Sequence, residues 1–469
     1  MRTDCSTKSL RFHGVGSRDL VARFNGGTIT SEAGGLLLRE TERITGIIRQ
    51  FARCFTDHRN GDLIEHTAHD IVAQRVYALC LGYEDLNDHD DLRCDPLLAA
   101  LVGKSDVEGA DRVRARDKGK PLAGKSTLNR LELTKEGATS DERYKKIVAE
   151  SSAIETLFVE WFLQSHPKPP REIILDLDAT DDPLHGEQEG RFFHGYYDEY
   201  CYLPLYIFCG DQLLCAKLRS SNIDASFGAL EEVVRIVGLI RARWPQVNII
   251  IRGDSGFCRE PIMAWCEANR VDYLLGLAVN SRLKGAIVSV MAEAQAAHEK
   301  TREPARVFAE FAYRTLKSWS KARRVIAKAE HLDKGANPRF VVTSLEGDAR
   351  MLYEDIYCAR GEMENRIKEQ QLQMFADRTS CEFFRANQIR LWFSSAAYSL
   401  MEALRRLGLK GTEMAEAQVH TIRLKLLKIG AQVRVTVRRI WVSLATGCPY
   451  QQLFARVCEN LQRLSPLRC

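Results

Sequence analysis

An α/β fold, built on a mixed sheet with a β-rich insertion and preceded by a mainly helical domain, follows from three features of the 469-residue sequence. Apolar residues recur at helical spacing through the first third of the chain. The Pro-rich stretch Gln164-Ser-His-Pro-Lys-Pro-Pro170 then interrupts regular structure. Beyond it, short β-rich runs give way to strands that alternate with helical stretches.

The elements follow in order. Helical periodicity marks Ala33–Phe51, His66–Leu81 and Ser126–Leu133, with Ser31 and Ser126 as N-caps, and defines a first domain over 1–165. Next come β-rich runs at Glu172–Asp178, Tyr202–Cys209 and Gln212–Arg219, the last two joined by a Gly210-Asp211 turn. A helix over Ser226–Trp244, a strand Asn248–Arg252, a helix around Ile262–Ala268 and a strand Tyr273–Leu277 complete the series. The order β-β-β-α-β-α-β is that of an RNase H-like domain, so 166–280 is expected to form the first part of a catalytic core. Residues 281–349, with β-leaning runs at Val307–Thr315, Arg324–Ala329 and Phe340–Leu345, read as a β-rich insertion subdomain. Long helical stretches, Leu352 to Met374 and Glu382 to Leu407, place the second part of the core at 350–405, and a basic region fills 406–469.

Composition narrows the class. Apolar residues at 45% and charged residues at 28% exclude a disordered chain, and the length suggests about three domain-sized units. From Met401 to Cys469 twelve Lys/Arg face four Asp/Glu, an excess larger than the net +5 of the whole chain. Clusters such as Arg423-Leu-Lys425-Leu-Leu-Lys428 and Arg434-Val-Thr-Val-Arg438-Arg439 suit phosphate neutralisation, and suit a solvated face equally well. The fourteen cysteines show no C-x-x-C spacing and often sit in apolar runs, which predicts reduced, buried thiols. Neither a signal-like apolar segment nor a membrane-length apolar run occurs, so a cytoplasmic protein without membrane association is expected.

Two acids close apolar strands: Asp178, followed by Ala-Thr, and Asp254, followed by Ser-Gly-Phe. The carboxyl ends of neighbouring parallel strands open on one crevice, where paired carboxylates repel unless a hard cation such as Mg²⁺ or Mn²⁺ lies between them. Acids at strand ends also cap turns, which is the simpler role for either alone. Asp176 shares the face of Asp178, but Asp178 is nearer the strand end and is preferred. A third acid comes from Tyr357-Cys-Ala-Arg360-Gly-Glu-Met-Glu364-Asn-Arg-Ile-Lys368. At about 100° per residue, Tyr357, Arg360, Glu364 and Lys368 share one helix face within about 80°. Glu364 could complete a metal site there while Arg360 and Lys368 grip phosphate; the plainer reading is a row of i,i+4 ion pairs.

These residues resemble the DDE insertion-sequence transposases, specifically the IS-four-like branch and its IS-thirteen-eighty group. Asp178-Ala179-Thr180 and Arg252-Gly-Asp254-Ser-Gly-Phe257 match the first two acid motifs. Tyr357, Arg360 and Glu364 match a Tyr, Arg, Glu, Lys signature whose Lys position is Gln371 here, with Lys368 about one turn earlier. Gln74-Arg-Val-Tyr77, Gly82-Tyr-Glu-Asp-Leu-Asn-Asp-His-Asp90, Glu364-Asn-Arg-Ile-Lys-Glu369, Thr379-Ser-Cys381 and Asn387-Gln-Ile-Arg-Leu-Trp392 look like the same group. The resemblance implies Asp178, Asp254 and Glu364 as catalytic metal ligands for two Mg²⁺ or Mn²⁺ ions, and Tyr357, Arg360 and Lys368 as DNA contacts. It implies cleavage at insertion-sequence ends and strand transfer into target DNA, a homodimer on double-stranded DNA, a DNA-binding role for 1–165, and a bacterial cytoplasm as location. Lys321, Arg323, Arg324 and Lys328 of the insertion would track the element end. A structure-specific nuclease without strand transfer, or a non-catalytic DNA-binding descendant, would share this pattern.

Several features read as structural rather than functional. The acidic stretch Asp85–Asp95 with His89 lacks the Gly and terminal Glu of a calcium loop and reads as caps and turns. Asp181 and Asp182 read as solvated loop acids, and Trp265, Trp319 and Trp392 as core.

Overall fold

The computed structural model describes residues 9–465, which divide into two compact units. The larger unit comprises Cys54–Thr56 and Leu131–Glu402. Among the described residues its main sheet has nine strands: β1 (Glu172–Ala179), β2 (Leu205–Cys209), β3 (Gln212–Lys217), β4 (Asn248–Gly253), β5 (Asp272–Leu277), β6 (Ala305–Tyr313), β7 (Arg323–Leu332), β8 (Gly335–Ala336) and β9 (Arg339–Thr343). Their order is β3-β2-β1-β4-β5-β9-β7-β6, with β8 beside β7. Strand β4 runs parallel to β1 and to β5, while β2 is antiparallel to β1. This is the mixed RNase H-like sheet that the run pattern predicts.

The insertion differs from expectation. Residues 281–349 open with two helices, Ser281–Ala286 and Val288–Thr301, and their strands extend the central sheet instead of forming a separate β-rich subdomain. Strand β9 pairs with β5, whose N–H and C=O groups would otherwise form an open edge.

Side-chain alternation gives the sheet two unlike faces. Leu175 and Leu177 of β1, Ile249 and Ile251 of β4, and Leu275 of β5 point into the main core. Helices α1 (Ala229–Arg243) and α2 (Glu260–Ala268) supply the other half of that core. Val233, Ile236, Val237 and Ile240 of α1 recur at i, i+3, i+4 and i+7 and are all buried, each contributing about 1.5–3 kcal/mol. The opposite face carries Leu274, Ile326 and Val341, which pack with Leu352 and Tyr353. The predicted single helix over Leu352–Met374 is therefore laid on this second face, and it is broken into turns. A π-helical stretch Leu352–Tyr357 and a short 3₁₀ turn lead into α3 (Gly361–Lys368), followed by a second π-helical stretch, Glu369–Gln373.

The boundary expected near residue 165 also moves. Helix Ser151–Ser165 belongs to the larger unit, where Val159, Phe162 and Leu163 join the main core and Phe162 meets Trp244 edge-on at 5.5 Å.

The smaller unit comprises the chain up to Arg53, Asp57–Arg130 and the chain from Ala403. The basic C-terminal region is part of it and not a region apart. Strand Ala431–Val435 pairs with both Ile29–Thr30 and Ile440–Leu444, and helix Gln451–Gln462 packs on helix Gly35–Thr45. Helix starts are also corrected. Gly46, at φ 66°, divides the stretch expected as one helix into Gly35–Thr45 and Ile47–Ala52. Thr67 and Asp70 form a capping box for helix Ala68–Leu81. Ser31 instead donates to Glu32, and Ser126 lies inside helix Lys125–Leu133.

Candidate active site

Because Leu175, Leu177, Ile249 and Ile251 face the main core, Asp176, Asp178, Arg252 and Asp254 must face the other way. The parallel register pairs Arg252 with Asp176 and Gly253 with Leu177. One residue further on, Asp254 comes level with Asp178 at the carboxyl ends of both strands. The chain from Leu352 to Lys368, laid over this face, brings Tyr357, Arg360 and Glu364 to the same ends.

The two neighbouring acids of β1 have different fates. Asp176 is 3% exposed and is held by the Arg252 guanidinium, with Nη2 donating to Oδ2 at 2.7 Å. Arg252 Nη1 also donates to the Ile356 carbonyl oxygen, so its charge is consumed inside the fold. Asp178 has no such partner. Its Oδ1 accepts the Ala179 N–H at 3.0 Å, and the Arg360 guanidinium stands 3.8 Å from Oδ2. Burial, with the nearby charges of Asp254 and Glu364, pushes the Asp178 carboxyl up to about 7 despite Arg360. Asp254 Oδ1 accepts the Gly256 N–H at 2.8 Å, and Arg360 Nη2 donates to Glu364 Oε1 at 2.6 Å.

The three carboxylates thus share one electrostatic site, with a guanidinium between two of them. Among the described residues no group of three His, Cys, Asp or Glu side chains is arranged to hold a metal ion. The donor set is nevertheless all-oxygen, and the charges of Asp254 and Glu364 raise the proton affinity of Asp178, which is the condition a hard cation relieves. Tyr357 lies over β5, where a Cβ on Gly276 would stand 2.5 Å from its hydroxyl oxygen. Lys368 is exposed and forms no ion pair among the described residues. Gln371, at the signature's Lys position, donates to the Asp181 carbonyl oxygen at 2.9 Å.

Other bases are spent internally. Arg323 is 4% exposed and bound to Glu260 and Glu267; Lys321 pairs with Glu267, Arg324 with Glu310 and Lys328 with Glu330. These four are therefore not a free basic track. Arg423 is likewise buried, donating to the carbonyl oxygens of Leu79 and Cys80 at the end of a helix, and Lys428 pairs with Glu32. Asp182 is not solvated: it is 1% exposed and accepts the Thr379 hydroxyl at 3.1 Å.

The longer motifs prove to be clamps. Asn387 exchanges hydrogen bonds with the Cys381 backbone at 3.0 and 2.8 Å. Gln388 does so with Leu218 N–H and the Ala216 carbonyl oxygen, covering the edge strand β3. In the smaller unit Gln74 holds the Ala123 backbone and meets buried His89 at 3.0 Å, while Asp85 and Asp95 cap short helices, as the turn reading predicts. Trp319 and Trp392 are core, Trp265 is only partly buried against it, and the twelve described cysteines are free thiols. Arg252 and Gly276 are the residues that sequence reasoning left without a role. A glycine inside the apolar run Tyr273-Leu-Leu-Gly-Leu277 signals close approach by a neighbour, and Arg252 shares the period-2 face of Asp254.

This topology, with acids at the ends of parallel strands, defines an RNase H-like α/β catalytic domain. The chain belongs to the family described as transposase DDE domain group 1, whose model matches residues 12–466. It is accordingly a transposase, a DNA-cleaving and DNA-joining enzyme of a family that generally uses divalent metal ions. No curated protein matches the chain. Among solved structures it is similar to the piggyBac transposase synaptic complex with hairpin DNA, at 10% identity and a TM-score of 0.43, covering 92% of this chain and 86% of that one.

Proposed function

We propose that Asp178, Asp254 and Glu364 are the catalytic carboxylates of this transposase and hold two Mg²⁺ or Mn²⁺ ions. The observation that carries this reading is the effect of Asp254 and Glu364 on the Asp178 carboxyl at the ends of the two parallel strands, with Asp176 excluded by Arg252. Such ions, when bound, supply Lewis-acid activation of the scissile phosphate and of the attacking hydroxyl. Asp178 and Asp254 are pre-set by their backbone N–H partners, each keeping an oxygen for coordination. Glu364, on α3 and paired with Arg360, would be the third ligand. Arg360 stands between Asp178 and Glu364, and its guanidinium would be the group to hold a phosphate oxygen of bound DNA. Tyr357 and the exposed Lys368 flank the same path and contact the DNA backbone.

The reaction would release a 3′-hydroxyl at each element end and use it as nucleophile on target DNA, within a homodimer that pairs the two ends. Residues up to 165 would contact the terminal repeats. The motif set supports placement in the IS-four-like branch and its IS-thirteen-eighty group, and the reaction would take place in a bacterial cytoplasm, where the chromosome lies. A cleavage and strand-transfer assay on DNA carrying the element's own ends tests the assignment. Asp178→Ala, Asp254→Ala and Glu364→Ala each lose on the order of 10³-fold or more, with DNA binding retained. Joined product persisting in Asp178→Ala removes that residue from the site; cleavage without joining by the unaltered protein supports a nuclease instead.

A further inference from the structure

The smaller unit contains a cleft of about 700 Å³ that none of the active-site residues enters. Its walls include Arg59, Arg112, Arg114, Arg116, Lys120 and Arg130. Asp62, Glu65, Asp90 and Asp117 also line it, fewer than the bases, and only part of the basic charge is compensated. Glu65 pairs with Arg112 at 2.7 Å and Asp57 with Arg59 at 2.6 Å, whereas Asp117 lies 3.8 Å from an exposed Arg116. Arg114 is exposed and has no ion pair among the described residues. Lys120 Nζ donates to the Arg116 carbonyl oxygen at 2.9 Å, which holds two of the bases together.

A second observation points to a ligand. His66 lines the same cleft at 6% exposure, and neither ring nitrogen has a hydrogen-bond partner. Burying such a group without a partner is costly unless an occupant supplies one. Burial and the adjacent charges of Lys104 and Arg112 keep the ring neutral, leaving one N–H to donate and one nitrogen to accept. Small-molecule sites are mostly apolar with few polar groups, whereas this wall is dominated by separate cations spread along an open cleft. That pattern suits a chain of phosphates more than one compact anion.

We propose that this cleft grips the sugar–phosphate backbone of one DNA strand, with Arg114 and Arg116 on successive phosphates and His66 hydrogen-bonding at its floor. The proposal rests on the reading that residues up to 165 contact DNA. The test is the binding of a labelled 30-base-pair duplex to the full chain, by fluorescence anisotropy over a salt series. The double variant Arg114→Gln, Arg116→Gln should lower the salt slope by about two and the affinity roughly tenfold. A control, Lys317→Gln with Lys334→Gln, removes the same charge from exposed sites of the larger unit and should leave the slope unchanged. Equal losses in control and cleft variants, or no loss in the cleft variant, overturn the proposal. So does displacement of the duplex by inorganic phosphate beyond that by chloride at equal ionic strength, which assigns the cleft to a free anion. An error in the catalytic assignment shows separately, as cleavage retained by Asp254→Ala in the cleavage and strand-transfer assay.

Discussion

Arg252 and Asp176 form a two-point ion pair on the face of the sheet that carries Asp178 and Asp254, with both partners at or below 6% exposure. The same guanidinium reaches the Ile356 carbonyl oxygen in the π-helical stretch. A wider turn frees that carbonyl for a side-chain donor, and such bulges recur at functional sites. One arginine thus sets which acid of β1 remains available and fixes the start of the segment bearing Arg360 and Glu364.

Removing one partner of this pair strands a buried charge. Arg252→Met should therefore destabilise the larger unit by about 3–5 kcal/mol, whereas Arg252→Met with Asp176→Leu should recover most of that loss. Urea denaturation of both variants measures the difference. A single variant no less stable than the double one would mean that Asp176 finds another partner or a proton.

Gly276 gives the sharpest steric prediction at the site. A Cβ there meets the Tyr357 hydroxyl at 2.5 Å, the Ser255 nitrogen at 2.9 Å and the Asp254 carbonyl carbon at 3.1 Å. Gly276→Ala should shift Tyr357 and the Asp254 turn together, lowering cleavage at least tenfold while the thermal midpoint falls only modestly. Adding Tyr357→Phe removes one of the three clashes. If the tyrosine contact dominates, the double variant is less impaired than the product of the two single variants; simple additivity would locate the effect at the Asp254 backbone.

The core strands were legible because each is a short apolar run whose end is marked by an acid or a turn, as at Glu172–Asp178 and Asn248–Arg252. Their face could be read too, since period-2 alternation puts Asp176, Asp178, Arg252 and Asp254 together. What a strand pairs with is not written locally. Nothing in Phe340–Leu345 says that it seals the edge of β5, so these residues read as a subdomain of their own. Base clusters misled for a related reason: Arg323 and Arg423 look like free charges in sequence, and their acid or carbonyl partners lie 56 and 343 residues away.

The union of the chain's first and last segments in the smaller unit has its own test. Gly34 has its N–H on the Leu427 carbonyl oxygen at 3.1 Å, and a Cβ at this position would fall 2.5 Å from the Leu427 Cα and closer still to the Leu426 carbonyl oxygen. Both obstacles are backbone, so they cannot yield as a side chain tip would. Gly34→Ala should cost at least about 2 kcal/mol, well above the helix gain alanine normally brings. Stability equal to or above that of the unaltered protein would show that the two segments separate without loss.

Acid sensitivity should come from His89. The ring is fully buried, its Nδ1 faces the Gln74 amide at 3.0 Å, and burial reinforced by Arg75 depresses its pKa from 6.5 to about 3. A histidine whose folded pKa is lowered binds its proton more readily when unfolded. Its contribution to stability is therefore complete above about pH 6.5 and is lost as pH falls towards 3, by about 1.4 kcal/mol per pH unit within that window. His66 is depressed likewise to about 3 and adds a slope of the same sign. His89→Gln keeps an amide partner for Gln74 and removes one titrating group, so its unfolding free energy should fall with acid about one proton less steeply. Denaturant unfolding at pH 6.5, 5.5 and 4.5 decides the matter: parallel slopes for His89→Gln and the unaltered protein would show that His89 takes up its proton in the folded state as readily as in the unfolded chain.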